Sequence, residues 1–273
     1  MRELSALVLG DGSTVDSVYA TARTNSTGPQ RLCLNAGFRA TGVLPDLRGE
    51  TMVLLVRHHR GVLDLREAPS RVLAPLAPLM AAVNASLGVR WTPEVVDAAP
   101  PPSRRLPCAA VDVLDAPAVV ARRLAASGEG FYPLHTPNLL LTPADRRWTA
   151  YAHLNGADGY CALSAASLPA VGEDLEAVVE RLTGRGARHI AVFVPADDES
   201  AVLRLLAHRF LPAACYPAVR TPGEGVRDVV VMARLGDRPD LSGIALHDDF
   251  RPFAEQYTSS WERCDTDLRG YPR

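Results

Sequence analysis

The 273-residue chain contains no lysine; all 29 of its basic residues are arginine. Chemistries that need an ε-amine are thereby excluded, among them Schiff-base aldolases and pyridoxal-phosphate enzymes. So is the phosphate-reading lysine of P-loop nucleotidases and protein kinases. The richness in Ala, Arg, Pro and Gly is that of a product of GC-rich DNA, which accounts for the missing lysines. Cys-x-x-Cys is also lacking. Five scattered cysteines, Cys33, Cys108, Cys161, Cys215 and Cys264, argue against a disulfide scaffold and a structural zinc site. No apolar run approaches the roughly 20 residues of a spanning helix, and the opening MRELSALVLGDG is too acidic and short for a signal peptide. A cytoplasmic protein without membrane contact is the expectation. The formal net charge of -2 gives no pull towards nucleic acid.

Several motifs are absent as well. Gly-x-Gly triplets begin at 128, 184 and 223, but none extends to Gly-x-Gly-x-x-Gly, so there is no dinucleotide fingerprint. His-Glu-x-x-His, Gly-x-Ser-x-Gly and EF-hand patterns are missing. His58 and His59 would face opposite ways on a strand, so no metal is expected there.

What the chain does have is the 47% hydrophobic and 22% charged composition of a globular protein, and an internal repeat. The first copy reads VDSVYATART, NSTGPQRLCLNAGF, RATGVLPDLRGE, TMVLLVRHH; the second reads RHIAVFVPADD, ESAVLRLLAHRF, LPAACYPAVRTPGEGVR, DVVVMARL. Aligning Phe38 with Phe210 puts Pro45 on Pro217 and Arg48 on Arg220. Each copy patterns as strand, helix, strand, strand: β-branched runs such as Val229-Val230-Val231 mark strands. Val202, Leu205 and Leu206, entered through Asp197-Asp198, mark a helix. Two copies at so long a period indicate a duplicated half-domain rather than a solenoid.

Between the copies, an apolar stripe over 70–87 predicts a helix closed by Gly88, with Pro75 and Pro78 allowing a later start. AAPPPSRRLP, residues 98–107, is the best linker. Beyond it the pattern predicts strands at 109–114, 139–142, 148–154 and 159–164, and helices at 117–126 and 173–182. A terminal helix carries Phe250, Phe253, Tyr257 and Trp261. The expected organisation is thus 1–62, a connecting segment 63–107, a second unit 108–236 and a C-terminal helix and tail 237–273.

Strand, helix, Gly-Phe, strand, strand resembles the C-terminal half of the GNAT superfamily of N-acyltransferases. Asn25 and Gly37-Phe38 match its pattern in the first copy; Asp198 and Arg209-Phe210 stand at those places in the second. Residues from about 109 to 235 resemble a complete GNAT domain in element order. Residues 1 to about 60 resemble only its second half, so the chain reads as a tandem protein without its N-terminal portion. The resemblance implies an α/β (α+β) fold: tandem GNAT-like mixed sheets flanked by helices. It further implies acyl transfer from acyl-CoA, or another acyl thioester, to an amine of a small molecule. The donor arm would bind where two central parallel strands splay, here beside Leu163, Ser164 and Ala165. The pyrophosphate would sit in the following loop with Gly172, on a helix N-terminus.

The loop AASLPAVGED departs from the family's Arg/Gln-x-x-Gly-x-Gly/Ala pattern: it has one glycine, no arginine, and Glu173-Asp174 at the helix start. Two carboxylates there suit the helix dipole but repel a pyrophosphate. An acyl carrier protein or an aminoacyl-tRNA is therefore an alternative donor. The family's acid Tyr is replaced by Leu205 and by Cys33. His135, on a loop before the central strands, is the candidate general base. Tyr160 and Tyr216, on core strands, are candidate acids, although buried tyrosines commonly serve only packing. Asp228 reads as a cap or turn residue. Two functions remain open: an N-acyltransferase with an atypical donor, and a catalytically degenerate binding or scaffold protein. An exposed strand edge in the first copy should be covered by the second unit or by a second chain, making a homodimer an expected partner.

Overall fold

A computed structural model describes residues 12–47, 49–98, 110–127, 135–164, 174–221 and 225–269, with residues 3, 8–10 and 133 beside them. The first repeat forms β1 (Ser17–Arg23), α1 (Gly28–Asn35), β2 (Arg39–Leu47) and β3 (Glu50–His58). A connecting stretch carries β4 (Arg71–Leu73), α2 (Ala77–Leu87) and β5 (Glu94–Val96). There follow β6 (Val111–Asp115), α3 (Pro117–Ser127), β7 (Leu139–Pro143), β8 (Ala150–Asn155), β9 (Tyr160–Leu163) and α4 (Leu175–Thr183). The second repeat is β10 (His189–Pro195), α5 (Glu199–Ala207), β11 (Leu211–Thr221) and β12 (Gly225–Leu235), and α6 (Arg251–Arg269) closes the chain.

The helix expected over 70–87 starts only at Ala77, because Pro75 and Pro78 lack the N–H a helix interior needs; Pro78 is tolerated within the first turn. The residues before it instead form β4, which pairs in parallel with β5 in a small separate sheet. That pairing had no legible signal in two three-residue strands.

All other strands make one sheet in the order β1-β3-β2-β11-β12-β10-β9-β8-β7-β6. The fold is mixed α/β. Around the β2–β11 junction the order is symmetric: β1, β3, β2 on one side mirror β10, β12, β11 on the other. The repeat alignment puts Gly42 on Ala214, and these two residues are the Cα partners that join the strands. The two copies therefore meet at one equivalent position. A Cβ on Gly42 would lie 2.2 Å from that of Ala214, so the approach needs a glycine on one strand.

Local detail follows the same symmetry. β2 shifts register between Leu44 and Leu47, and β11 between Tyr216 and Val219. In each bulge the residue after the proline is left-handed, Asp46 at φ 50° and Ala218 at φ 54°. The bulge carbonyls are then capped from the opposite copy: Pro45 accepts from His189 Nδ1 at 2.7 Å, and Pro217 from the Tyr19 hydroxyl at 2.8 Å. β2 and β10 are separated by two strands in the sheet order, so a contact this short requires the sheet to curl.

Alternation along the strands divides the buried residues between two faces. On one, Val43, Leu55, Val192 and Met232 pack with Met80 of α2, Val178 of α4, Leu205 of α5 and Phe253 of α6. On the other, Leu44, Tyr160, Phe193 and Tyr216 form a second cluster. Arg66 enters beside it and makes a bidentate bond to Asp228 (2.7 and 2.6 Å) while its third nitrogen reaches Asn84 of α2 at 2.7 Å. The two charged side chains are 2% and 0% exposed. Asp228 is thus the anchor of the connecting segment on the second copy rather than a cap or turn. It also accepts from the backbone N–H of Ala218 at 3.2 Å, holding the bulge. Among the described residues, no helix is long and apolar enough to cross a membrane.

Candidate functional site

One feature of the sheet is unlike the rest. β9 and β10 are its parallel pair, matched from Tyr160↔His189 to Leu163↔Val192. Past that point the strands are held by different neighbours. Ser164 donates its backbone N–H to Tyr151 of β8 at 2.8 Å, whereas β10 stays registered with β12 as far as Pro195↔Val229. The parallel pairing ends at Leu163 and Val192, with Ser164 the last described residue of this stretch. The side chains there are enclosed, Leu163 at 1% exposed and Ser164 at 3%.

At the other end of the same two strands lies a row of rings. Register places His153 opposite Ala162 and His189 beside Tyr160, so all share a face. His135, from the loop before β7, stacks on His153 with centroids 4.3 Å apart and planes at 22°. Tyr160 sits 6.0 Å from His135, 6.2 Å from His153 and 5.8 Å from His189. Hydrogen bonds to carbonyls assign the tautomers. His153 Nδ1 donates to Thr136 O at 3.1 Å and His189 Nδ1 to Pro45 O at 2.7 Å, leaving each Nε2 as the basic nitrogen. Burial depresses the basicity of His189, which stays neutral near pH 7. His135 is half-buried and stands at the outer end of the row.

The expected residues are thus partly gathered. His135 and Tyr160 come together. Tyr216 lies in the same apolar layer, but its ring neighbours are Tyr19 at 4.9 Å and Phe193 at 6.0 Å, and burial raises its hydroxyl pKa far above the usual value. It stands apart from the row formed by His135, His153, Tyr160 and His189. Leu163 and Ser164 lie where the parallel pairing of β9 with β10 ends; Ala165 and Gly172 lie outside the described residues. Leu205 and Cys33, at the positions of the family's acid, are both buried in the core on the helix-covered face.

His153 and His189 were missed by sequence reasoning. Their only signal is the odd-position alternation along β8 and β10, which points to this face once the register is known. The helix start behaves differently from expectation too. Asp174 accepts from Arg147 and from Trp148 Nε1 at 2.7 Å, so its carboxylate is already matched by a cation. The loop 165–173 that precedes it lies outside the described residues. Among the described residues there is no cluster of three metal-ligating side chains.

No family model and no curated protein sequence matches the chain. Among solved structures, the ribosomal-protein-S18-alanine N-acetyltransferase from Escherichia coli is 16% identical, with a TM-score of 0.32, covering 49% of this chain and 98% of its own. A GCN5-related N-acetyltransferase from Kribbella flavida is 17% identical (TM-score 0.31), covering 46% of this chain and 97% of its own. The ribosomal-protein-S5-alanine acetyltransferase from Vibrio fischeri is 8% identical (TM-score 0.31), covering 44% and 68%. Each is similar to about half of this chain. Identities so low say nothing about activity, donor or acceptor.

Proposed function

We propose that the chain is an N-acyltransferase that moves an acyl group from a thioester donor to the amine of a small molecule. The parallel pair β9 and β10 supports this reading above all: β10 runs on from Phe193 to Pro195 beyond the last matched pair, Leu163 and Val192, and among the described residues no strand pairs with that edge, a seam to which a donor arm could add. In the transfer, the amine nitrogen attacks the thioester carbonyl, the C–N bond forms and the C–S bond breaks. The thiolate leaves with the electron pair, and the proton lost by the amine passes to an imidazole. His135 is that acceptor, because it combines partial exposure with a neighbouring imidazole that can share the proton. Tyr160, which lies 6.0 Å from His135, is the hydroxyl we assign to return a proton to the thiolate. The sequence of 165–174 has one glycine and no arginine, so the donor that suits this chain presents the thioester arm without relying on its pyrophosphate. An acyl carrier protein meets that description, and so does an aminoacyl ester on tRNA if the donor is not a thioester.

A second reading, a catalytically silent fold that serves as a binding partner or scaffold, is favoured by the enclosure of Leu163 and Ser164 at the seam. Acyl transfer assays with a panel of acyl thioesters and amines separate the two. Replacing His135 with Ala should then slow transfer by at least about tenfold; an unchanged rate removes it from the site. The absence of lysine sharpens the assay. Acyl label that appears on the protein itself can only lie on the α-amino group, a cysteine or a hydroxyl, so amide product in solution reports substrate.

A further inference from the structure

Among the described residues the large sheet has two outer edges, β1 and β6, and they are finished differently. Along an antiparallel pair the residues alternate, one bonding across the ladder and the next pointing its N–H and C=O away. On β6 the ladder to β7 is flanked by bonds from Ala144 N–H to Ala110 O and from Ala116 N–H to Asn138 O, each 3.1 Å. Val111 and Val113 therefore face outward. Both of their carbonyls are capped, Val111 by Arg181 Nε of α4 at 2.8 Å and Val113 by Arg185 at 2.6 Å.

On β1 the bond from His59 N–H to Asp16 O at 2.8 Å, one step beyond the Ser17↔His58 pair, sets the phase. Val18, Ala20 and Ala22 bond to β3, and Ser17, Tyr19, Thr21 and Arg23 face outward. Gln30 Nε2 caps the Arg23 carbonyl at 3.1 Å. The outward backbone groups of Ser17, Tyr19 and Thr21 have no partner among the described residues. These positions are half-buried rather than sealed. In the second copy the equivalent groups are engaged by β9: the alignment that puts Gly42 on Ala214 puts Ser17 on His189, whose N–H bonds to Gly159 O at 3.0 Å. Nor does β1 carry the usual safeguards of an edge. Between Asp16 and Arg23 it reads SVYATA, without a charge or a proline.

We infer that β1 pairs with β1 of a second copy of this chain, antiparallel and about a two-fold axis at Ala20. The second copy's β6 edge is closed by its arginines, so the edge it can offer is its own β1. A contact between identical surfaces closes as a dimer. Charge order agrees, with an acid at one end of the edge, Asp16, and a base at the other, Arg23. Antiparallel pairing sets each Arg23 beside Asp16 of the partner subunit, whereas parallel pairing would set like against like. Each keeps its own partner, Glu50 and Arg220, so these charges fix direction more than strength. The register that engages all four outward residues puts Tyr19 opposite Thr21 of the partner subunit. The contact does not depend on whether β9 and β10 bind an acyl donor.

Sedimentation velocity of the full chain between about 1 and 100 µM tests it, and dimer should predominate at the upper end. Thr21→Pro removes an outward N–H and none that bonds to β3. That variant should keep its circular dichroism spectrum and dimerise at least about tenfold more weakly. Ala20→Cys supplies a second readout. Across the axis the two Cα atoms of a non-hydrogen-bonded pair lie about 4.5 Å apart, within reach of a disulfide, so mild oxidation should produce a cross-linked dimer absent from the parent chain. A monomer throughout that range, unchanged dimerisation in Thr21→Pro, or no cross-link in Ala20→Cys would each overturn the proposal.

Discussion

The two copies of the repeat share a helix-capped three-strand unit down to the left-handed residue in each bulge, yet they differ in what lies at the first strand. β10 pairs with β9 in parallel, whereas β1 ends the sheet order among the described residues. A repeated half-fold can thus be kept as scaffold in one place and completed into a candidate site in another. The seam requires a parallel partner strand held by its own outer neighbour, and only the second copy has one among the described residues.

The largest expected difference between the copies is at Asp228, which the repeat aligns with Thr51. Asp228→Ala leaves Arg66 buried without its carboxylate and should destabilise the fold by about 3–5 kcal/mol in urea unfolding. Thr51→Ala should cost only about 1 kcal/mol. Equal losses would mean that the buried pair is not what ties the connecting segment to the second copy.

The junction gives the next effect. Gly42→Ala forces two Cβ atoms together and should cost about 1–3 kcal/mol. Adding Ala214→Gly should recover little of that loss, because the Ala214 Cα and the Ala213 carbonyl remain in the way. Full recovery in the double variant would contradict a junction that needs glycine at position 42.

Acid should act on the second copy through Glu176, whose partners His208 and Arg234 belong to it. Burial alone would raise the Glu176 carboxyl, but hydrogen bonds from His208 (2.9 Å) and Arg234 (2.7 Å) outweigh it and bring the pKa to about 2. A carboxyl lowered on folding contributes stability that is present above its unfolded pKa and lost as pH falls towards 2. Glu176→Gln should flatten the loss of stability between about pH 5 and 2, and an unchanged acid profile would assign that loss elsewhere. The smallest contrast is in the helix caps. Asp198 accepts from the Ala201 N–H at 2.9 Å, whereas α1 has no side-chain cap. Asp198→Ala should cost about 1 kcal/mol, and Ser26→Ala less than about 0.5 kcal/mol.

Much of this architecture was legible in the residues. The repeat, its strand–helix–strand–strand reading and the alignment of Phe38 with Phe210 all rest on local patterns, and the structure keeps them as elements. Legibility failed where the physics was non-local. Arg66 and Asp228 are far apart in the chain, and a lone arginine beyond a strand does not announce a buried partner. His153 and His189 became neighbours of Tyr160 only through strand register. The carboxylate of Asp174 looked like a repellent for phosphate because nothing in the sequence assigns Arg147 and Trp148 to it. Pro75 and Pro78 illustrate the converse, since their local rule did foretell a later helix start.

The central claim is that the seam after Leu163 and Val192 receives a thioester arm without help from a pyrophosphate-binding loop. Calorimetric titration of the folded chain with acetyl-CoA and with S-acetylpantetheine, which lacks the nucleotide and pyrophosphate, tests it most directly. The account predicts saturable binding of both, with affinities within about tenfold of one another. Strong binding of acetyl-CoA alone would contradict a donor site that does not rely on the pyrophosphate. No binding of either would contradict the seam as a donor site.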